Sequence, residues 1–236
     1  MKVIMLAHTP NPGKLAAAAA RLCYSKLTPS EVYDGLTDEK VRKLLTDIRA
    51  SGHMSPFEHA VFTFGVSGLS RVASHQLVRH RVASFSQQSQ RYVSMKENTA
   101  VVPPSIASDP ERLRLYEEAA DKATEYYNEL VEMGVDKEDA RFILPHGGNT
   151  NIIFTMNARE LMHFFRLRLC HRAQWEIREL ALKVLEQVLP VAPEIFVGAG
   201  PACMADGKCP EPVGRGCGKP CGKADTPERM LEILRS

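Results

Sequence analysis

No stretch of this sequence stays apolar for long. The longest run centres on Ala16 to Ala20, far short of the roughly 20 residues a membrane-spanning helix needs, so no span is expected. The first ten residues, MKVIMLAHTP, hold one Lys and a brief apolar run without a long apolar centre or cleavage site. They read as a first β-strand rather than an export signal, which makes the cytoplasm the expected location. Strong net charge is also missing: 30 Lys+Arg against 28 Asp+Glu leave +2, which favours neither a nucleic-acid-coating protein nor an acidic solvating chain. There is no internal repeat, no GxGxxG, no GxxxxGK followed by Ser or Thr, no GxSxG and no HExxH. Most nucleotide-binding and hydrolase folds lose support with them.

What is present is a sizeable apolar fraction, 44% of 236 residues, enough for a substantial core. The near-neutral total hides a local asymmetry. From His59 to Lys96 there is no Asp or Glu, while Arg71, Arg79, Arg81, Arg91 and Lys96 give +5. From Arg141 to Trp175, Arg141, Arg159, Arg166, Arg168 and Arg172 face a single acid, Glu160, for +4. Most of these arginines sit among apolar or small residues, and a buried guanidinium needs an anionic partner. Either distant carboxylates supply it or a ligand does. A phosphorylated ligand suits the preference for arginine, whose planar fork binds phosphate oxygens in pairs.

Periodicity predicts an alanine-rich helix over Lys14 to Ser25 and a second one capped by Thr37, with Val41, Leu44, Leu45 and Ile48 at helical spacing and Gly52 as its stop. Ala60 to Leu69 alternates as a strand, and Ser70 is placed to cap a helix running through Val82. Ser84 to Met95 has no apolar period and reads as a loop or irregular strand. A long helix is expected from an Ser108 N-cap, with Glu111 completing a capping box and Gly134 as stop. A short segment then runs from Asp136 to Arg141, Asn151 to Asn157 alternates as a strand, and Ala158 to Leu189 reads as one long helical stretch. A last short helix spans Thr226 to Arg235. Strands and helices mix without a regular βαβ repeat, which argues an α+β fold.

Two segments bear on chemistry. In HMSPFEH, His53, Glu58 and His59 lie close together, but their spacing fits no zinc motif and a hydrogen-bonded structural role is favoured. In RHRVASFSQQSQRY, Arg79 to Tyr92, three Arg, one His, three Ser and three Gln fall within fourteen residues free of acid. That is a dense set of donors for phosphate and for a carbonyl-rich heterocycle.

The second segment resembles the signature of the flavin-dependent thymidylate synthases, the ThyX family: Arg79-His80-Arg81, seven residues, then Ser89. The likeness extends through HMSPFEHAVFTF upstream and ARFILP, TMNAREL and FRLRLCHRAQWEIR downstream, over residues 1 to 197. It implies a catalytic domain over 1–197, followed by a Cys/Gly/Pro-rich tail over 198–236. It also implies conversion of dUMP to dTMP, with 5,10-methylenetetrahydrofolate as carbon donor, FAD as hydride carrier and NADPH as its reductant. The implied fold has a mixed sheet and long helices and assembles as a homotetramer whose active sites lie where subunits meet. By matching position, FAD would be held by Ser55, Arg79, His80, Arg81, Gln87, Asn157, Arg159 and His163. The nucleotide would meet Gln76, Arg79, Gln87, Gln88, Ser89, Gln90, Arg91, Arg141 and Arg168, and His53 would stand near flavin and folate. Arg168 is the implied catalytic group, stabilising negative charge on the uracil ring so that C5 becomes nucleophilic.

The residues support these roles on their own terms. Arg159 and His163 stand four apart at the opening of a helix, on one face, and Asn157 can cap it. His163 and Gln87 stand where relatives carry Asn and Glu, and His163 can titrate, adding pH dependence to flavin binding. Ser89 lacks a spaced acid–His pair to activate it and reads as a hydrogen-bond donor to the nucleotide rather than a nucleophile. Cys170 reads as a packed small side chain on an apolar helix.

In the tail, Cys203, Cys209, Cys217 and Cys221 fall within nineteen residues. They could form a structural zinc site, remain as an unmetallated flexible tail, or pair as disulfides; zinc would order a segment that has no core. A rival of another class is a single-stranded nucleic-acid binder stacking bases on Phe85 and Tyr92. A flavin-binding relative without synthase activity is a third possibility. Flavin absorbance in the purified protein separates the binder from the other two.

Overall fold

The computed structural model describes residues 1–93, 97, 99–218 and 222–236. Lys96 and Cys221, both singled out above, lie outside the described residues. In chain order the strands and helices are β1 (Lys2–His8), α1 (Pro12–Leu22), α2 (Pro29–Asp34), α3 (Asp38–Ala50), β2 (Val61–Ser70), α4 (Arg71–Leu77), β3 (Ala83–Gln87) and α5 (Pro104–Ala107). There follow α6 (Pro110–Glu132), α7 (Lys137–Ala140), β4 (Asn149–Asn157), α8 (Ala158–Arg168), α9 (Trp175–Val188), α10 (Pro193–Phe196), α11 (Ala202–Ala205) and α12 (Pro227–Arg235). Among the described residues the strands form one four-stranded sheet in the order β1-β2-β4-β3. The class is α+β, and the sheet is antiparallel rather than mixed. Its register fits: Ala158 N–H donates to Ala60 O at 2.7 Å, and the hydroxyls of Thr63 and Thr155 lie 2.9 Å apart, so residue numbers rise on one strand as they fall on its neighbour.

The chain divides into two compact units. One comprises Met1–Lys2, Val66–Arg79 and Phe85–Ile153; the other comprises Val3–Gly65, His80–Ser84 and Phe154–Ser236.

In the second unit, alternation on β2 and β4 buries Phe62, Phe64, Phe154 and Met156, as a half-buried strand requires. Phe64 stacks on Phe154 with ring centroids 5.1 Å apart, and Phe196 meets both Phe62 and Phe165 edge-on. α9 presents Ile177, Leu180, Ala181, Val184, Leu185 and Val188 at helical spacing, all fully buried. The edge of the sheet is managed by one side chain: Gln187 of α9 accepts from Met5 N–H and donates to Val3 O at 2.7 Å, so its amide stands in for a neighbouring peptide.

In the first unit, α6 is the dominant helix, burying Ala120, Thr124 and Tyr127. Its N-cap is Asp109, whose carboxylate accepts from Glu111 N at 2.9 Å and Arg112 N at 3.1 Å. Ser108 instead closes the short turn of α5. Pro110 decides this: its locked φ and missing N–H suit the first helical position, which makes the preceding residue the cap.

Other boundaries also differ from the sequence reading. Ser70 caps α4 as expected, accepting from Ala73 N at 3.0 Å, but the helix stops at Leu77 and does not reach Val82. Val78 and Val82 are 39% and 64% exposed, so the apolar stripe that would hold further turns in place is not buried. The stretch from Ala158 is two helices, not one. α8 ends at Arg168, and Gln174 starts α9 by accepting from Glu176 N and Ile177 N at 3.0 and 3.1 Å. The Gln174 side chain satisfies two of the N–H groups left without a partner where a new helix opens. α2 is an addition; its Thr28–Glu31 capping box is complete. The HMSPFEH segment forms a 3₁₀ turn over Ser55–His59.

Candidate active site

The residues implicated by the sequence sort between the two units. The second unit holds His53, Ser55, His80, Arg81, Asn157, Arg159, His163 and Arg168; the first holds Gln76, Arg79, Gln87, Gln88, Ser89, Gln90, Arg91 and Arg141.

The second-unit group is organised by the start of α8. Asn157 caps that helix, its side-chain oxygen accepting from Glu160 N at 2.9 Å. Capping aims residues 159 to 163 in fixed directions. Arg159 is exposed and donates to Glu58 Oε1 at 2.5 Å, which gives Glu58 of the HMSPFEH segment a structural partner. The next residue, Glu160, is buried and lies 3.1 Å from Nδ1 of the buried His80. Arg168, at the last turn, donates its Nε–H to His80 Nε2 at 3.2 Å. Phe164 and His163 meet the imidazole edge-on, with centroids 5.0 and 5.6 Å away. Burial, reinforced by the Arg168 and His163 charges, pushes the His80 pKa down to about 4. Burial likewise raises Glu160, partly offset by His163 and Arg159, and lowers Arg168. His53, Ser55, Arg81 and His163 are exposed.

His80, Glu160 and His163 bring ligand atoms within 4.8 Å of one another, a span a divalent ion could bridge. Both nitrogens of His80 are already engaged, one by the carboxylate and one by the guanidinium, so the ring has none to offer an ion.

In the first unit, the polar strip after β3 is held by side-chain hydrogen bonds. Gln87 donates to Ser74 Oγ at 3.1 Å and Thr150 Oγ1 at 3.3 Å; Gln88 accepts from Asn151 at 3.0 Å. Gln90 is buried. Ser89 Oγ accepts from Arg91 N at 3.1 Å, a local bond within the turn. Arg91 pairs with Glu138, whose carbonyl also accepts from Arg141 Nε at 2.9 Å. Arg71 donates to Gln88 O at 3.0 Å, yet its Nε is buried with no hydrogen-bond partner. Its pKa is lowered by burial and by the like charge of Arg141. A buried unused donor on a guanidinium that feels a second like charge favours an anion.

The missing partners of the arginine-rich windows are thus supplied in part from outside them: Glu58 to Arg159, Glu138 to Arg91, Asp206 to Arg166 and Glu211 to Arg172. Arg79 and Arg81 form no ion pair among the described residues. Sequence reasoning gave Glu160 and Glu138 no role. Glu160 carried a signal, being the single acid of its window.

A cavity of about 690 Å³ lies in the second unit between the α8–α9 turn and the tail, lined by Arg166, Arg168, Arg172, Cys170, Cys203, Cys209 and Cys217 among others. Cys170 follows the end of α8 rather than sitting within a helix. Among the described residues, the cysteines do not assemble a set of metal-ligand atoms within reach of one ion; the cluster of His80, Glu160 and His163 is the one group that does.

The family described as thymidylate synthase complementing protein matches residues 4–194. The chain belongs to this family. Among curated relatives, a Geobacter sulfurreducens protein named flavin-dependent thymidylate synthase is 50% identical over 236 residues, 99% of each chain. Proteins of the same name from Clostridium tetani and Pyrococcus furiosus are 45% and 44% identical, covering 93% and 89% of this chain and 94% and 90% of theirs. The Geobacter alignment takes in the tail, so this family member shares likeness beyond residue 197 as well.

Proposed function

We propose that the protein is a flavin-dependent thymidylate synthase that reductively methylates dUMP to dTMP, taking the carbon from 5,10-methylenetetrahydrofolate and the hydride from FAD reduced by NADPH. The observation that carries this reading is the setting of Arg168, a half-buried guanidinium oriented by a neutral imidazole from the RHR signature. Such a group is a fixed positive charge rather than a proton donor. Placed against N3 and O4 of uracil, it stabilises the enolate-like charge that makes C5 nucleophilic.

The donor set suits both ligands. Two phosphorylated molecules need several cations, and Arg79 and Arg81 carry no ion pair among the described residues, while Arg71 holds a buried unused N–H. Arg79, Arg81, His80, Gln87, Asn157, Arg159, His163 and Ser55 would hold the flavin, which supplies hydride chemistry when bound. Gln76, Gln88, Ser89, Gln90, Arg91, Arg141 and Arg168 would fix the nucleotide, with Arg79 and Gln87 serving both ligands and His53 near flavin and folate. The protein's part is orientation, charge and exclusion of water.

A homotetramer belongs to the same reading. Phe142 and Met133 are 85% and 81% exposed, and Phe142 follows the nucleotide-binding Arg141 directly. In such an assembly these exposed apolar side chains would be covered by another copy. Among the described residues, no helix is long and apolar enough to cross a membrane. The tail cysteines carry no part of this reading.

Tritium release from [5-³H]dUMP with NADPH and methylenetetrahydrofolate tests it. The purified protein should show flavin absorbance and release tritium, and Arg168→Ala should abolish release while keeping the flavin. A colourless protein, inactive with added FAD and held on phosphocellulose in a steeply salt-dependent way, would instead be the nucleic-acid binder.

A further inference from the structure

Hydrogen-bond chemistry leaves one arrangement for the three groups behind Arg168. An arginine side chain offers donors and no acceptor. Its Nε–H therefore meets a lone pair on His80 Nε2, at 3.2 Å, and that nitrogen carries no proton. The proton of the neutral ring must then be on Nδ1, 3.1 Å from Glu160 Oε1. Nδ1–H donates, and Glu160 has to accept. The other tautomer would break both bonds at once, setting two N–H groups against each other at Nε2 and stranding a lone pair against the carboxylate.

We infer that Glu160 is a positioning residue for Arg168: by accepting from His80 Nδ1–H, it holds the imidazole in the tautomer whose Nε2 anchors the guanidinium. The geometry suits that task. Glu160 and Arg168 come from the two ends of α8, and His80 lies between them with Phe164 against its ring at 5.0 Å. His80 is 3% exposed and Glu160 is 8% exposed, so water does not compete strongly for either bond. Anchoring Nε fixes the plane in which the terminal nitrogens of Arg168 lie, and a planar donor set meets a planar base edge only when its tilt is right. The pattern is that of a carboxylate setting the tautomer of a histidine that orients a third group.

This inference rests on Arg168 meeting the uracil, so its test includes Arg168 itself. The intact protein and the variants Glu160→Ala, Glu160→Gln, Arg168→Ala and Glu160→Ala/Arg168→Ala are compared by equilibrium dialysis with labelled dUMP, by tritium release and by bound flavin. Glu160→Ala should keep its flavin and α8, because the Asn157 cap uses the backbone of residue 160. It should lose roughly tenfold or more in dUMP affinity or turnover through misplacement of Arg168. Glu160→Gln, whose amide oxygen can still accept from Nδ1–H, should recover most of that loss. In the Arg168→Ala background, Glu160→Ala should add nothing. Where the alanine variant does not fold, Glu160→Asp, which draws the acceptor back by one methylene, should show the same pattern. Wild-type behaviour of Glu160→Ala, or losses that multiply in the double variant, would overturn the inference while leaving the role of Arg168 intact. An Arg168→Ala variant with unchanged dUMP binding and turnover would overturn both.

Discussion

Asp206 accepts from both terminal nitrogens of Arg166, at 2.8 and 2.5 Å, and so ties the tail to α8 two residues before Arg168. The pair raises the Arg166 pKa and lowers that of Asp206 through the hydrogen bond between them. Both side chains are about two-fifths exposed, so solvent screens the attraction and its share of global stability is small. Its effect is local. Asp206→Asn should leave the melting temperature nearly unchanged but raise amide exchange across 201–218. Because the carboxylate is stabilised in the folded state, this tether is present above the ordinary Asp range and is lost as pH falls through the lowered pKa of Asp206. Exchange rates in the tail that match wild type would refute the tether.

His80 gives stability a second pH dependence. Its folded pKa, about 4, lies below the ordinary value of 6.5, so between those values the unfolded chain binds a proton that the folded chain refuses. Stability therefore falls as the pH drops from about 6.5 toward 4, and this contribution levels off below. Urea denaturation at pH 7 and pH 5 should show the decline, and His80→Asn should flatten it. Equal slopes in the two proteins would place the dependence elsewhere.

Asn157 has two jobs that substitution can separate. As N-cap of α8, its loss in Asn157→Ala should cost about 1 kcal/mol, read by urea denaturation. Asn157→Asp keeps the capping oxygen and suits the helix dipole, so stability should hold, while the new negative charge weakens flavin binding. Flavin titration of the two variants checks this; an aspartate variant with wild-type affinity would remove Asn157 from the flavin site.

Gln187 offers a packing test. Gln187→Leu strands Met5 N–H and Val3 O at the sheet edge, and about 1 to 3 kcal/mol of stability should go with them. Denaturation within a few tenths of wild type would mean that water replaces the amide.

The signature and its charge pattern were legible in the chain because they are local. RHRVASFSQQSQRY carries its donors contiguously, β2 and β4 announce themselves by alternation, and α3 and α12 by a threonine cap ahead of an amphipathic stripe. Helix ends were less legible, since Ser108 and Asp109 are both good caps and only the locked φ of Pro110 chooses between them. Continuity from Ala158 to Leu189 was misread because the stripe alone does not reveal that the Gln174 side chain folds back to open a new helix.

The tautomer of His80 lay beyond the sequence altogether. It is set by Glu160 and Arg168, 80 and 88 positions away, and hydrogen-bond direction is a property of atoms brought together in space. The same is true of the arginine partners: Glu58, Glu138, Asp206 and Glu211 were visible as acids, but only folding decides which guanidinium each one neutralises. Composition set how much positive charge the site has to work with; tertiary structure decided where it points, because a charge acts over a few ångströms while the chain orders its residues over hundreds.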